Sequence, residues 1–178
     1  GPAQVGSAIK IIALLTVLSL APAILMLMTC FTRLVIVLNF ARQAMGVQGM
    51  PPNQILVSLA LILTFFVMAP VGKSAYEAGF QPYMAGKITE KQALEASLKP
   101  VRRFMLHHTR VKDIELFLQM SKQPMPKSPD DVPFSALLPA FVISELTTAF
   151  HMGFLIFIPF LLIDFVVASV LMSMGMVM

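Results

Sequence analysis

The chain has 178 residues, 57% of them apolar and 12% charged, with a net charge of +4 and a single Cys. Average soluble domains carry roughly 25% charged residues, so the composition excludes a disordered chain, a disulfide scaffold and a soluble nucleic-acid binder. Too few polar residues remain to cover a water-facing surface, and the reading is a membrane protein. The charges are unevenly spread: 17 of the 22 lie between Lys73 and Asp131, ten Lys/Arg against seven Asp/Glu. That mixture resembles a soluble surface more than a phosphate-tracking strip, so nucleic acid is not an expected partner. The charges outside it are Lys10, Arg33, Arg42, Glu145 and Asp164. The chain therefore divides into an apolar region over 1–71, a polar insert over 72–133 and a second apolar region over 134–178.

Residues 8–28 form an apolar run long enough to span a bilayer, since roughly 20 helical residues cross ~30 Å of hydrocarbon. No small-residue cleavage pattern follows, and the chain stays apolar through 34–40, which argues against a signal peptide. The connector 41–53 holds Gly46, Gly49, Pro51 and Pro52, with Asn53 placed to cap a second apolar helix over 54–71. The pattern predicts a helical hairpin. In the insert, Thr89 and Gln92 fit a capping box, and Leu94 and Leu98 share one helix face. Lys99-Pro100 is expected to break that helix. Pro100 then suits the first turn of another, with Val101, Phe104, Met105, Leu116, Phe117 and Met120 on its apolar side. Residues 123–133 contain four prolines and read as a loop. From 146 to 178 the one formal charge is Asp164. A straight helix of that length would reach ~50 Å, beyond one bilayer core, and Gly153 and Pro159 allow bending. A fold-back near Ile158-Pro159 is expected. The fold class is all-α: bent helical hairpins with a small, mostly helical polar insert.

Candidate chemistry is sparse. Gly72-Lys73-Ser74 lacks the upstream Gly of a phosphate loop, since position 67 is Val67. His107 and His108 are adjacent and point about 100° apart on a helix, the wrong spacing for a metal pair and the right one for a solvated face. His151 stands alone. Cys30 has no His nearby and reads as a small core residue. No catalytic set, metal site or cofactor is expected. Asp164 lies among apolar residues on both sides, where an ionised carboxylate costs about 2.5–3.5 kcal/mol. It must face protein, water or a cation, either as a structural hydrogen-bonded carboxylate or in a gating or ion-pair role. Glu145 either satisfies a helix N-terminus, worth ~0.3–1 kcal/mol, or forms an inter-subunit salt bridge. Arg33 and Arg42 are nine residues apart, two and a half helical turns, and are expected on opposite sides. Met172, Met174, Met176 and Met178 surround Gly175, as a flexible apolar helix end or as a compliant seal of unbranched side chains.

Phe31-Thr32-Arg33-Leu34-Val35-Ile36-Val37-Leu38, Ala44-Met45-Gly46 and Pro51-Pro52-Asn53-Gln54 resemble one signature of the FliP family of flagellar export-gate proteins. Leu137-Leu138-Pro139-Ala140-Phe141, Ser144-Glu145-Leu146, Ala149-Phe150, Gly153-Phe154, Ile158-Pro159-Phe160, Ile163-Asp164 and Met174-Gly175-Met176 resemble a second, in the same order and spacing. The resemblance implies a channel-forming subunit of the type III export gate. Several copies would assemble with FliQ-like and FliR-like subunits, and with an FlhB-like protein, to pass unfolded flagellar subunits. It implies apolar hairpins packed largely on other chains, above the membrane plane, a setting that suits prolines at 22, 70, 139 and 159 as interruptions of simple spanning helices. It also implies a place in the bacterial inner membrane and flagellar basal body. By position, Met176, Val177 and Met178 match the family's channel gasket, with a stiffer β-branched residue in the middle. Glu145 and Asp164 match acidic positions of subunit packing, and Arg33 and Arg42 are assigned with them as packing or ion-pair residues. Phe104 and Phe117 match contacts made by the insert. Family members begin with a cleaved signal sequence and continue past the gasket, so this chain is expected to be part of a longer protein. The ten Lys/Arg of the insert would place it in the cytoplasm by charge, but that rule weakens for loops beyond ~60 residues, and the resemblance places the insert in the periplasm.

Three function classes compete. The leading one is a structural conduit without an active site. An ion-coupled transporter would use Asp164 and Glu145 as relay carboxylates, but such proteins show two related halves and no internal repeat is visible. A membrane enzyme lacks any cluster of catalytic groups.

Overall fold

The computed structural model describes residues 2–47 and 49–175. It is all-α. Helix α1 spans Pro2–Leu27, α2 Phe31–Ala44, α3 Asn53–Ala75, α4 Gln81–Met84, α5 Glu90–His108, α6 Val111–Met120 and α7 Phe134–Ser173. Among the described residues, three helical stretches are long and apolar enough to cross a membrane: Gly6–Leu27, Asn53–Met84 and Phe134–Ser173.

Helix α1 is apolar all round and its side chains stand exposed from Gly6 to Leu20. Its hydroxyls are satisfied within the helix: Thr16 donates to the Ile12 carbonyl at 2.8 Å and Ser19 to that of Leu15 at 2.7 Å. The chain then breaks over Met28–Cys30, both of which are buried at the break. The Thr29 hydroxyl donates to the Met26 carbonyl and accepts from the Phe31 N–H, which closes one helix and opens the next. Helix α2 ends at a turn in which Gly46 and Gly49 adopt φ of +69° and +74°, a region that favours glycine. Pro52 sits extended at φ −55°, ψ 148° and occupies the cap position, so Asn53 begins α3 instead of capping it. Helix α3 continues through one π-helical turn, Tyr76–Phe80, into α4. Gly79 in that turn is buried where a Cβ would strike the Ala93 carbonyl and the Ser97 side chain, so the absence of a side chain lets α5 approach.

The capping box at Thr89 forms as the spacing predicts, with Gln92 N–H donating to Thr89 Oγ1 at 3.4 Å and Thr89 N–H to Gln92 Oε1 at 3.0 Å. The expected break at Pro100 does not occur. Helix α5 runs through it, because Ala93 on one side and Met105 on the other are both buried and hold the helix in register. Tertiary packing thus outweighs a proline penalty of about 3 kcal/mol. The insert bends instead at Thr109–Arg110, where Thr109 turns extended at φ −98°, ψ 130°.

The expected fold-back of the C-terminal region is also absent. Helix α7 is continuous from Phe134 to Ser173, with Pro139 and Pro159 inside it. Pro22 and Pro70 likewise lie inside α1 and α3. In apolar surroundings a helix is the one local structure that satisfies its own backbone, so it persists through single prolines. Over 40 residues α7 is about 60 Å long, and its two halves differ. Ala136, Leu137, Ala140, Phe141, Ser144, Glu145, Ala149 and Gly153 are buried, and no residue from 154 to 175 is. The core lies around the first half: Met28, Met105, Val132, Leu137 and Phe141, with Val101, Phe104 and Ile114 against them. Arg102 fastens the proline-rich loop to α5 by donating to the carbonyls of Asp130, at 2.8 Å, and Val132.

Candidate functional site

Helix α7 carries two buried polar residues in succession, Ser144 and Glu145. Neighbouring helical residues point about 100° apart, so each addresses a different element. Ser144 faces the α5–α6 corner. Its hydroxyl donates to Asp113 Oδ2 at 2.6 Å and accepts from the Arg110 N–H at 3.0 Å. Arg110 folds back on Asp113, with Nε and Nη2 both 2.9 Å from Oδ2, and Nη2 also donates to Thr147 Oγ1 at 2.9 Å. The chain bends at Thr109 because these bonds reward it: the Thr109 hydroxyl closes α5 on the Met105 carbonyl at 2.6 Å, and Arg110 N–H is freed for Ser144.

Glu145 faces α2. Its Oε2 lies 3.0 Å from Arg33 Nε, and the side chains are 1% and 18% exposed. The contact is an ion pair, and Oε2 is buried with no further hydrogen-bond partner among the described residues. Cys30 lies one turn before Arg33, buried to 1% exposure. Burial pushes its thiol above the ordinary range, against the opposing pull of the Arg33 charge, so it is an inert packing group. Further along, the Phe40 ring of α2 meets Phe150 and Phe157 of α7 edge-on, with centroids 5.7 and 6.0 Å away. Gly153 lies beneath it, where a Cβ would sit 2.6 Å from Phe40 Cγ. Polar ties and an aromatic clasp therefore hold α2, the insert corner and the first half of α7 as one unit.

The structure corrects several sequence expectations. Glu145 lies a third of the way along α7, not at a helix N-terminus, and its ion pair is made within the chain. Arg33 and Arg42 are engaged by different parts of the fold. Arg33 is paired with Glu145, and Arg42 donates to Asn39 Oδ1 at 2.8 Å and to the Pro51 carbonyl at 3.3 Å, tying the α2–α3 turn. Phe104 packs on Phe141 at 6.1 Å and stacks against His108 at 4.4 Å, so it serves the chain's own core. His108 is half-buried, not a fully solvated residue. Phe117 is half-buried on α6. Asp164 stands exposed on the projecting half of α7, with no ion pair or hydrogen bond among the described residues. Met172 and Met174 are exposed and Gly175 takes φ +68°, whereas Met176, Val177 and Met178 lie outside the described residues. Arg110, Asp113 and Thr147 were not singled out by sequence, and Ser144 only as part of a family signature. The available signal was Asp113, one position before Ile114 and four before Phe117, in the stripe that packs inward.

The FliP family matches residues 14–178. The chain is 54% identical over 177 residues to the flagellar biosynthetic protein FliP of Bacillus subtilis, covering 99% of this chain and 80% of that protein. It is 50% identical over 170 residues to FliP of Caulobacter vibrioides, covering 96% and 64%, and 43% identical over 180 residues to FliP of Aquifex aeolicus, covering 100% and 75%. With its two signatures spanning the tied core and the projecting half of α7, the chain belongs to the FliP family.

Proposed function

We propose that the chain is a channel-forming core subunit of the flagellar type III protein export gate, conducting unfolded flagellar subunits and having no active site of its own. It works as several copies, with FliQ-like, FliR-like and FlhB-like partners, in the bacterial inner membrane at the basal body, its insert on the periplasmic side. The observation that carries this reading is the division of labour in a FliP-family chain: a tied core that projects two long apolar helices, α1 and the second half of α7, with almost none of their surface buried. Apolar faces of that extent call for lipid or other chains around them. A ring of such chains brings the methionine-rich ends of α7 together, and unbranched thioether side chains can close on one another and still yield to a passing polypeptide.

The transporter reading has less support. Glu145 is engaged by Arg33, and nineteen residues of helix, about 28 Å, separate it from Asp164, too far for direct proton exchange. The conduit is tested by replacing Met176 and Met178 with Ala and measuring small-ion leakage through the assembled gate. Increased leakage with assembly intact is expected. Unchanged leakage refutes the seal, and a stable monomer that captures no partner chains refutes the gate.

A further inference from the structure

Between α3 and α5 lies an open groove of about 620 Å³, and it has a two-part lining. Val71, Ala78 and Pro100 among others give it an apolar part, and Lys99, Arg103 and His107, all exposed, give it a basic one. These three are spaced four apart on α5 and therefore form one stripe. No Asp or Glu is among the described residues lining the groove, and neither Lys99 nor Arg103 has an acidic partner there. Glu77, on the continuation of α3, lies 3.9 Å from Lys73 in an exposed pair and does not line the groove.

The position of the groove along α3 matters as much as its charge. Residues 53–72 carry no charge, and about 20 helical residues cover ~30 Å, the thickness of the hydrocarbon core. Lys73 is the first charge on that helix, so the segment lining the groove, Pro70 to Ala78, falls where a spanning helix would leave the hydrocarbon for the headgroup layer. Val67, one turn before Val71 on the same face and 42% exposed, continues the apolar surface below it.

We infer that this groove binds an anionic phospholipid, its phosphate on Lys99 and Arg103 and its acyl chains along α3. A phosphodiester suits two unpaired cations on one stripe, since a guanidinium can grip two of its oxygens while an ammonium adds a point charge. An apolar lining continuous with a hydrophobic helix suits a lipid better than a free anion. The inference does not need the chain to conduct protein, but it needs α3 to meet lipid, at the latest before its apolar face packs on other chains.

The test uses the full chain in a nonionic detergent, with phosphatidylglycerol or phosphatidylcholine added, and reads retained lipid by native mass spectrometry and the melting temperature by circular dichroism. Retention of phosphatidylglycerol over phosphatidylcholine and a raised melting temperature with the former are expected. The Lys99→Gln/Arg103→Gln variant should lose phosphatidylglycerol affinity roughly tenfold or more. Lys87→Gln/Lys91→Gln, the same charge change at exposed positions outside the groove, should leave it unchanged. The charge-preserving Lys99→Arg/Arg103→Lys variant guards against a folding artefact and should retain most binding. Equal retention of both lipids, equal loss in the two Gln variants, or stabilisation by inorganic phosphate alone to the same degree would each overturn the inference. So would a Lys99/Arg103 variant that binds lipid normally but no longer captures a partner chain, since the stripe would then serve protein.

Discussion

Removing Arg33 should unseat α2 from α7, and the chain carries its own reporter of that event. In Arg33→Met the guanidinium 3.0 Å from Glu145 is lost while the carboxylate, 1% exposed, remains. Leaving one member of a buried pair behind costs about 3–5 kcal/mol, because the remaining charge has neither partner nor water. For a domain of this size each kcal/mol is worth about 2–4 °C, so the melting temperature should fall by roughly 6–20 °C. Cys30, the chain's lone cysteine, is 1% exposed and sits one turn from Arg33. Its reaction with a thiol reagent should therefore accelerate in the variant under native conditions. The double variant Arg33→Met/Glu145→Leu removes both charges and should recover most of the loss, since apolar replacement of a whole buried pair is often neutral. A single variant with the parental melting temperature and a thiol as protected as before would refute the pairing. A double variant no better than the single would refute the electrostatic account of it.

Other outcomes follow from the same unit. Ser144→Ala leaves the Arg110 N–H without its acceptor and removes one of the bonds to Asp113 Oδ2, which keeps the Arg110 guanidinium, at a cost of about 1–3 kcal/mol, and hydrogen exchange should rise first at residues 109–113. Gly153→Val drives a side chain into the Phe40 ring and should destabilise by about 1–3 kcal/mol, partly relieved by adding Phe40→Leu, as read from thermal unfolding. Burial pushes the His108 imidazole below its ordinary range, although its Nδ1 lies 2.9 Å from the Phe104 carbonyl. The unfolded chain therefore takes up that proton first as pH falls, so stability should decline through the ordinary histidine range and level off below the folded value. His108→Gln should remove that part of the pH dependence, and a midpoint for His108 by NMR above that of an unstructured histidine would contradict it.

Much of the fold was legible because it rests on local signals. The Thr89 box depends on residues three apart, and the turn after α2 on glycines that supply positive φ. The misreadings share one cause. Pro100 and Pro159 are strong local breakers, and both lost to non-local terms: burial of Ala93 and Met105 in one case, the need of an apolar segment to satisfy its own backbone in the other. The polar ties were invisible for a related reason. Arg110 and Ser144 are 34 positions apart, and Arg33 and Glu145 further still; no period in the sequence brings them together. What sequence did supply was the shortlist, since Arg33 and Glu145 stood out as charges in apolar runs.

The adjacency of Ser144 and Glu145 has a consequence for the far end of α7. Two ties set about 100° apart on one helix fix its roll angle, because turning the helix either way strains both at once. That angular index is carried along the rod to residues with no anchor of their own. Asp164, twenty residues beyond Ser144, comes out about 160° around the axis from it. Whatever receives this carboxylate approaches from the side opposite the insert corner, and a one-residue deletion between the two would swing it by about a quarter-turn.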